Sequence, residues 1–180
     1  MPETAENTRR RRVVIGLGNE ILSDDGAGIH AVRELRKSHA GEAEFSELAV
    51  GGLALLDQIA GYDVCLIVDA LRTGTHPPGT ILRCLQTSGG EPHALTSSHQ
   101  IDLAQVMALG ALLGAAMPPS VVVWGIEAED ITTFRPHCTA SVARALPRLV
   151  EAIAAELASG GDADPSPAGR WQVVHETVPS

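Results

Sequence analysis

The chain has 180 residues, 44% of them apolar and only 3% aromatic, so a single domain with an aliphatic core is expected and disorder over most of it is excluded. A net charge of −9 argues against a nucleic-acid partner, because phosphate binding needs a basic surface. No run reaches the roughly 18 apolar residues of a membrane span, and three cysteines without a Cys-x-x-Cys pair point to a reducing cytoplasm rather than to a disulfide frame or a structural zinc site.

The basic run Arg9–Arg12 invites an export-signal reading, but the apolar stretch that should follow is broken by Asn19, Glu20, Asp24 and Asp25. Residues 1–11 therefore read as a solvated flank. Residues 12–17 are a short β-branched strand that runs into a glycine-rich turn. Residues 26–37 carry Ile29, Val32 and Leu35 at helical spacing. A weaker strand over 43–50 precedes a helix over 52–60, with Leu53, Leu56 and Ile59 on one face. Residues 63–70 are almost wholly apolar, as in a central strand buried on both faces.

Thr73-Gly74-Thr75-His76-Pro77-Pro78-Gly79 is a turn-rich linker to a strand over 80–85. The linker is shorter than the dozen or so residues of a parallel crossover, so this fourth strand should run antiparallel to the third. A polar loop over 86–97 leads to a helix over 100–115, then a strand over 119–126 after Pro118-Pro119. The last helix, 139–158, is amphipathic through Val142, Leu146, Leu149, Val150, Ile153 and Leu157, with a kink expected from Pro147. Residues 159–180 are rich in Gly, Pro, Asp and Ser and read as a loose tail in which Trp171 and Val173-Val174 are docking candidates.

Alternating strands and helices give the class α/β: one domain over 12–158, a three-layer sandwich with helices on both faces of a five-stranded, mostly parallel sheet, strand four being antiparallel. Right-handed crossovers place strand one between strands two and three, and ligands bind where the strand order reverses. Asp25 follows strand one and Asp69 ends strand three, so both carboxylates fall beside that crevice.

Gly16-x-Gly18 after a strand resembles a dinucleotide fingerprint, but position 21 is Ile where the third glycine should stand, and the Asp24-Asp25 pair would repel a pyrophosphate. The turn itself accounts for the glycines. One of Asp24 and Asp25 is expected to cap the first helix. Asp69, ending an apolar strand, must be solvated by a cleft or paired. His99 follows Ser97 and Ser98, which can cap the third helix; in a helix's first turn the dipole favours a neutral imidazole, the metal-binding form. Glu20 is a further acid in the turn, and His30, His39, His76, His93, His137 and His175 read mostly as surface residues. If the strand ends share one rim, Asp25, Asp69 and His99 converge as an open ligand set for a borderline divalent ion, suited to a metal delivered with a substrate.

The segments Gly16-Leu17-Gly18-Asn19, Ser23-Asp24-Asp25-Gly26-Ala27-Gly28, Val68-Asp69-Ala70 and Ser98-His99-Gln100, in this order and spacing, resemble the hydrogenase maturation proteases. These endopeptidases finish the large subunit of nickel–iron hydrogenases. The resemblance implies removal of a C-terminal extension from a nickel-loaded large-subunit precursor, with Asp25, Asp69 and His99 as the catalytic and metal-contacting residues. The nickel would be carried by the substrate, with no permanently bound metal. Many members have Asp-Gly-Gly-Thr after strand two, where this chain has Glu47-Leu48-Ala49-Val50 and then Gly51-Gly52. The rival readings are a non-catalytic nickel-dependent chaperone of the precursor and a nucleotide-binding regulatory domain.

Overall fold

β-Branched and aliphatic runs become strands, and the segments between them become helices. The computed structural model describes residues 10–49, 52–87, 103–160 and 171–173. In chain order the elements are β1 (Arg12–Leu17), a 3-10 turn (Ser23–Gly26), α1 (Ala27–His39), β2 (Glu44–Leu48), α2 (Leu53–Ile59), β3 (Val64–Leu71), β4 (Ile81–Thr87), α3 (Leu103–Leu112), β5 (Ser120–Glu127), α4 (Ala140–Ala158) and β6 (Trp171–Val173). The sheet order is β2-β1-β3-β5-β4-β6. β1 pairs in parallel with β2 and β3, and β3 with β5, so β1 lies between β2 and β3 as the crossover rule requires.

β4 runs against β3 in direction, but its neighbour is β5. The linker folds over the end of β5, where Gly79 N–H donates to the Glu127 carbonyl and Glu127 N–H to that of Thr80. The edge of β3 is thereby left to β5. The five expected strands are joined by a sixth, because Trp171–Val173, within the segment read as a loose tail, pairs antiparallel with Leu82–Cys84. The partner is the open edge of β4, about ninety residues away, so local composition carries no trace of the pairing.

Two apolar layers flank the sheet. One face buries Val14, Leu66, Val68, Val122, Trp124 and Ile126 under α1 and α4. The other buries Val13, Ile15, Cys65, Ile67, Val121 and Val123 under α2 and α3. β3 is buried along all eight residues, as its apolar run requires. α1 ends with Arg36, Lys37 and His39 in its last turn, where cations suit the dipole, and the chain then turns at Gly41 with φ of 97°. α4 continues through Pro147, which removes one N–H from its ladder without ending it. Trp124 Nε1 donates to Glu156 at 2.6 Å, and Arg83 pairs with the same carboxylate, tying α4 to the sheet.

The start of α1 is pressed onto the sheet. A Cβ on Gly28 would lie 2.3 Å from the Val68 carbonyl oxygen and 2.4 Å from that of Leu17. Only glycine permits this approach, which brings the turn after β1 against the end of β3.

Candidate active site

The turn between β1 and α1 is closed on itself. Leu22 N–H donates to the Asn19 carbonyl and Asp25 N–H to that of Leu22, each at 3.0 Å. Gly18 adopts φ of 148°, and a Cβ there would lie 2.1 Å from the Asp25 carbonyl oxygen, so this position also requires glycine. The Asp25 carboxylate accepts Asn19 N–H at 3.0 Å and is buried just ahead of the first turn of α1, where negative charge is favoured.

Asp24 is bound quite differently. One of the two acids is expected to cap the first helix, but the N-cap position of α1 falls on Gly26, which has no side chain to cap with. The Asp24 carboxylate instead reaches the segment between β5 and α4. Its Oδ2 accepts Glu129 N–H at 2.9 Å and Asp130 N–H at 3.0 Å, and its Oδ1 accepts Thr139 N–H at 2.6 Å. Tertiary contacts over a hundred residues away outcompete the local cap.

Asp69 is 1% exposed and lies opposite Gly125 of β5. The β1–β3 register ends at Gly16 and Val68, so Asp69 is the first residue of β3 beyond it, where the crevice opens. Strand alternation places Asp69 on the face of Cys65 and Ile67, the face covered by α2 and α3. The Ser23–Gly26 turn that carries Asp25 packs against β3, and Gly28, which follows it, approaches the Val68 carbonyl next to Asp69. His99, with its preceding serines Ser97 and Ser98, lies outside the described residues, four positions before Leu103 opens α3. Among the described residues, no three His, Cys, Asp or Glu side chains gather to hold a metal ion.

The surrounding rim is charged and cross-linked. Glu20, the further acid of the turn, pairs with Arg33, whose guanidinium holds its carboxyl below the ordinary range. Arg33 and Arg36 both pair with Glu47, at 2.9 Å each, in the stretch that departs from Asp-Gly-Gly-Thr. Hydrogen bonds from the Thr133 and Thr132 groups hold the Asp130 carboxyl low. Burial pushes the pKa of His30 down and lifts that of the Cys138 thiol to about 11. Leu22 and Arg135 form an isolated parallel bridge, next to which Ile21 and Phe134 stand exposed, Phe134 to 80%.

One buried acid on this rim escaped the sequence reading. Glu127 ends β5 and accepts Gly74 N–H and Thr73 Oγ1, each at 2.8 Å, which fixes the linker between β3 and β4. The signal was available: a carboxylate closing an apolar strand, the pattern that singled out Asp69.

Comparison with known proteins identifies the fold and the family. A family model for hydrogenase maturation proteases (HycI) matches residues 29–156. The hydrogenase expression/formation protein HupD of Thiocapsa roseopersicina is 29% identical over 152 residues, covering 79% of this chain and 67% of that one. The hydrogenase 2 maturation protease of Escherichia coli (strain K12) is 29% identical over 164 residues, covering 86% and 96%. The solved structure of the hydrogenase maturating endopeptidase HybD from E. coli superposes with a TM-score of 0.70 at 24% identity, over 84% of this chain and 94% of that one. This chain, a peptidase, belongs to the hydrogenase maturation protease family.

Proposed function

We propose that this peptidase removes the C-terminal extension of a nickel-loaded hydrogenase large-subunit precursor in the cytoplasm. The observation that carries the reading is the pair of buried carboxylates, Asp25 and Asp69, at the carboxyl ends of the adjacent parallel strands β1 and β3. Two buried acids at neighbouring strand ends favour the approach of a cation. A divalent ion carried by the substrate is the cation proposed for this pair, and His99, four positions before Leu103 in the sequence, is the third donor proposed. Two carboxylates and an imidazole suit nickel and leave coordination positions open for groups of the substrate.

In this reading the ion belongs to the substrate, and its docking sets the scissile peptide against the crevice. Peptide hydrolysis then needs a water activated beside the carbonyl. A carboxylate of the pair takes a proton from that water, whose oxygen bonds to the carbonyl carbon. The C–N bond breaks as the nitrogen is protonated, giving a new carboxyl terminus and a free amine. In this reading the chain is an endopeptidase of the aspartic type. The free cysteines Cys65, Cys84 and Cys138 agree with a reducing compartment. No helix among the described residues is long and apolar enough to cross a membrane.

The test is cleavage of nickel-loaded precursor by Asp25→Asn and Asp69→Asn, read by mass spectrometry. Each near-isosteric change removes the charge and the proton acceptor, and a loss of about 100-fold or more in rate is expected. Wild-type rates in both variants would remove the pair from the chemistry. A chaperone without protease activity would bind the precursor and leave its mass unchanged.

A further inference from the structure

We infer that Asp24 is a positioning residue for this hydrolysis, clamping the turn that carries Asp25 to the segment between β5 and α4; the inference rests on the reading of Asp25 given above. Asp24 is fully buried, and its carboxylate is the meeting point of four donors. Glu129 N–H, Asp130 N–H and Thr139 Oγ1 reach Oδ2 at 2.9, 3.0 and 3.0 Å, and Thr139 N–H reaches Oδ1 at 2.6 Å. The Asp24 N–H donates in turn to the Asp130 carbonyl at 2.9 Å. One side chain therefore holds both ends of the 129–139 segment, and the second end is the residue that opens α4.

The residue before it shows how tightly the turn is constrained. Ser23 is a buried non-glycine at φ of 44°, a left-handed conformation that persists only where its surroundings over-determine it. Its N–H donates to the Arg135 carbonyl at 2.8 Å, its Oγ to the His137 carbonyl at 3.3 Å, and Arg135 Nη2 donates to that Oγ at 3.0 Å. Asp25 follows Asp24, with its N–H on the Leu22 carbonyl and its carboxylate on Asn19 N–H, both inside the clamped turn. Loosening the outer side of the turn moves Asp25 relative to Asp69 on the neighbouring strand. A carboxylate is the one side chain of this size that accepts from four donors; an amide with its oxygen in the Oδ2 place presents its NH2 group to Thr139 N–H, donor against donor.

The experiment compares Asp24→Asn, Thr139→Val and Thr139→Ser with the wild-type chain on nickel-loaded precursor, together with a core control, Ile153→Val. The readouts are kcat and KM, with melting temperatures to match stability. Misplacing a reacting group by about 1 Å costs on the order of 100-fold, so kcat should fall by about that factor in Asp24→Asn with KM little changed. Thr139→Val should fall by a smaller factor, and Thr139→Ser, which keeps the hydroxyl, should restore wild-type turnover. The core control should keep wild-type kcat at the same loss of melting temperature. Wild-type kcat in Thr139→Val overturns the inference even if Asp24→Asn fails to fold, and so does an equal loss of kcat in the core control. If the wild-type chain leaves the precursor uncut, the functional reading falls, and the inference with it.

Discussion

Asp24 and Asp25 are neighbours in one turn, yet their carboxylates have different partners. Asp24 is tied to residues 129, 130 and 139, whereas Asp25 folds back on Asn19 at the crevice. Nothing local in Ser23-Asp24-Asp25-Gly26 distinguishes them, because the donors that decide the matter lie more than a hundred residues away in sequence. Asp69 was legible as a candidate for the opposite reason: a charged side chain at the end of an apolar strand is a local anomaly. Asp25 was singled out by topology, because the crossover rule sets the turn after β1 beside the end of β3. The glycines are also decided at this scale. Gly28→Ala would set a methyl 2.3 Å from the Val68 carbonyl oxygen, within hard contact of backbone that cannot rotate away. The helix must lift, at a cost of about 1–3 kcal/mol. Thermal denaturation should show a melting temperature several degrees lower, and an unchanged melting temperature would mean that α1 does not sit against β3 as described.

Elements show where periodicity suffices and where it does not. β1 was expected over 12–17 and spans Arg12–Leu17, while β3 and β5 are each displaced by one residue from the expected range. Apolar runs bounded by glycine or proline mark such strands clearly. The neighbour of β4 and the pairing of β6 were not legible, since strand adjacency depends on which edge is left open. α4 was read from its apolar stripe, but its polar anchor was not. Glu156 pairs with Arg83 and accepts Trp124 Nε1 from two different strands, across a largely buried contact. Glu156→Ala removes that acceptor and breaks the pair, so a loss of about 2–4 kcal/mol is expected by denaturant titration. On α1, His30 is half-buried beside Gly26 and has its pKa lowered, first by burial and then by Arg33. The unfolded chain therefore binds a proton on His30 at a higher pH than the native one does. Its contribution to stability is complete above about pH 6.5 and declines as pH falls below that value, until the folded imidazole also protonates. Melting curves of wild type and His30→Gln between pH 8 and pH 5 should converge in slope above that window and differ within it. Parallel curves throughout would contradict the burial of this ring.

At the scale of the molecule, the doubly wound sheet sets the crevice at the strand-order reversal, and the family assignment makes the chain a peptidase. Most of this architecture follows from strand and helix alternation alone. What the alternation cannot supply is the partner: the Glu47 to Gly52 stretch departs from the usual pattern, and Arg33 and Arg36 neutralise Glu47 on that edge. Under the proposed function, the nickel carried by the precursor is the condition for cleavage. The direct measurement is intact-mass spectrometry of one large-subunit precursor, prepared nickel-loaded and nickel-free, after incubation with the wild-type chain. Loss of the C-terminal peptide from the nickel-loaded form alone is the predicted result; equal cleavage of both forms, or of neither, would contradict it.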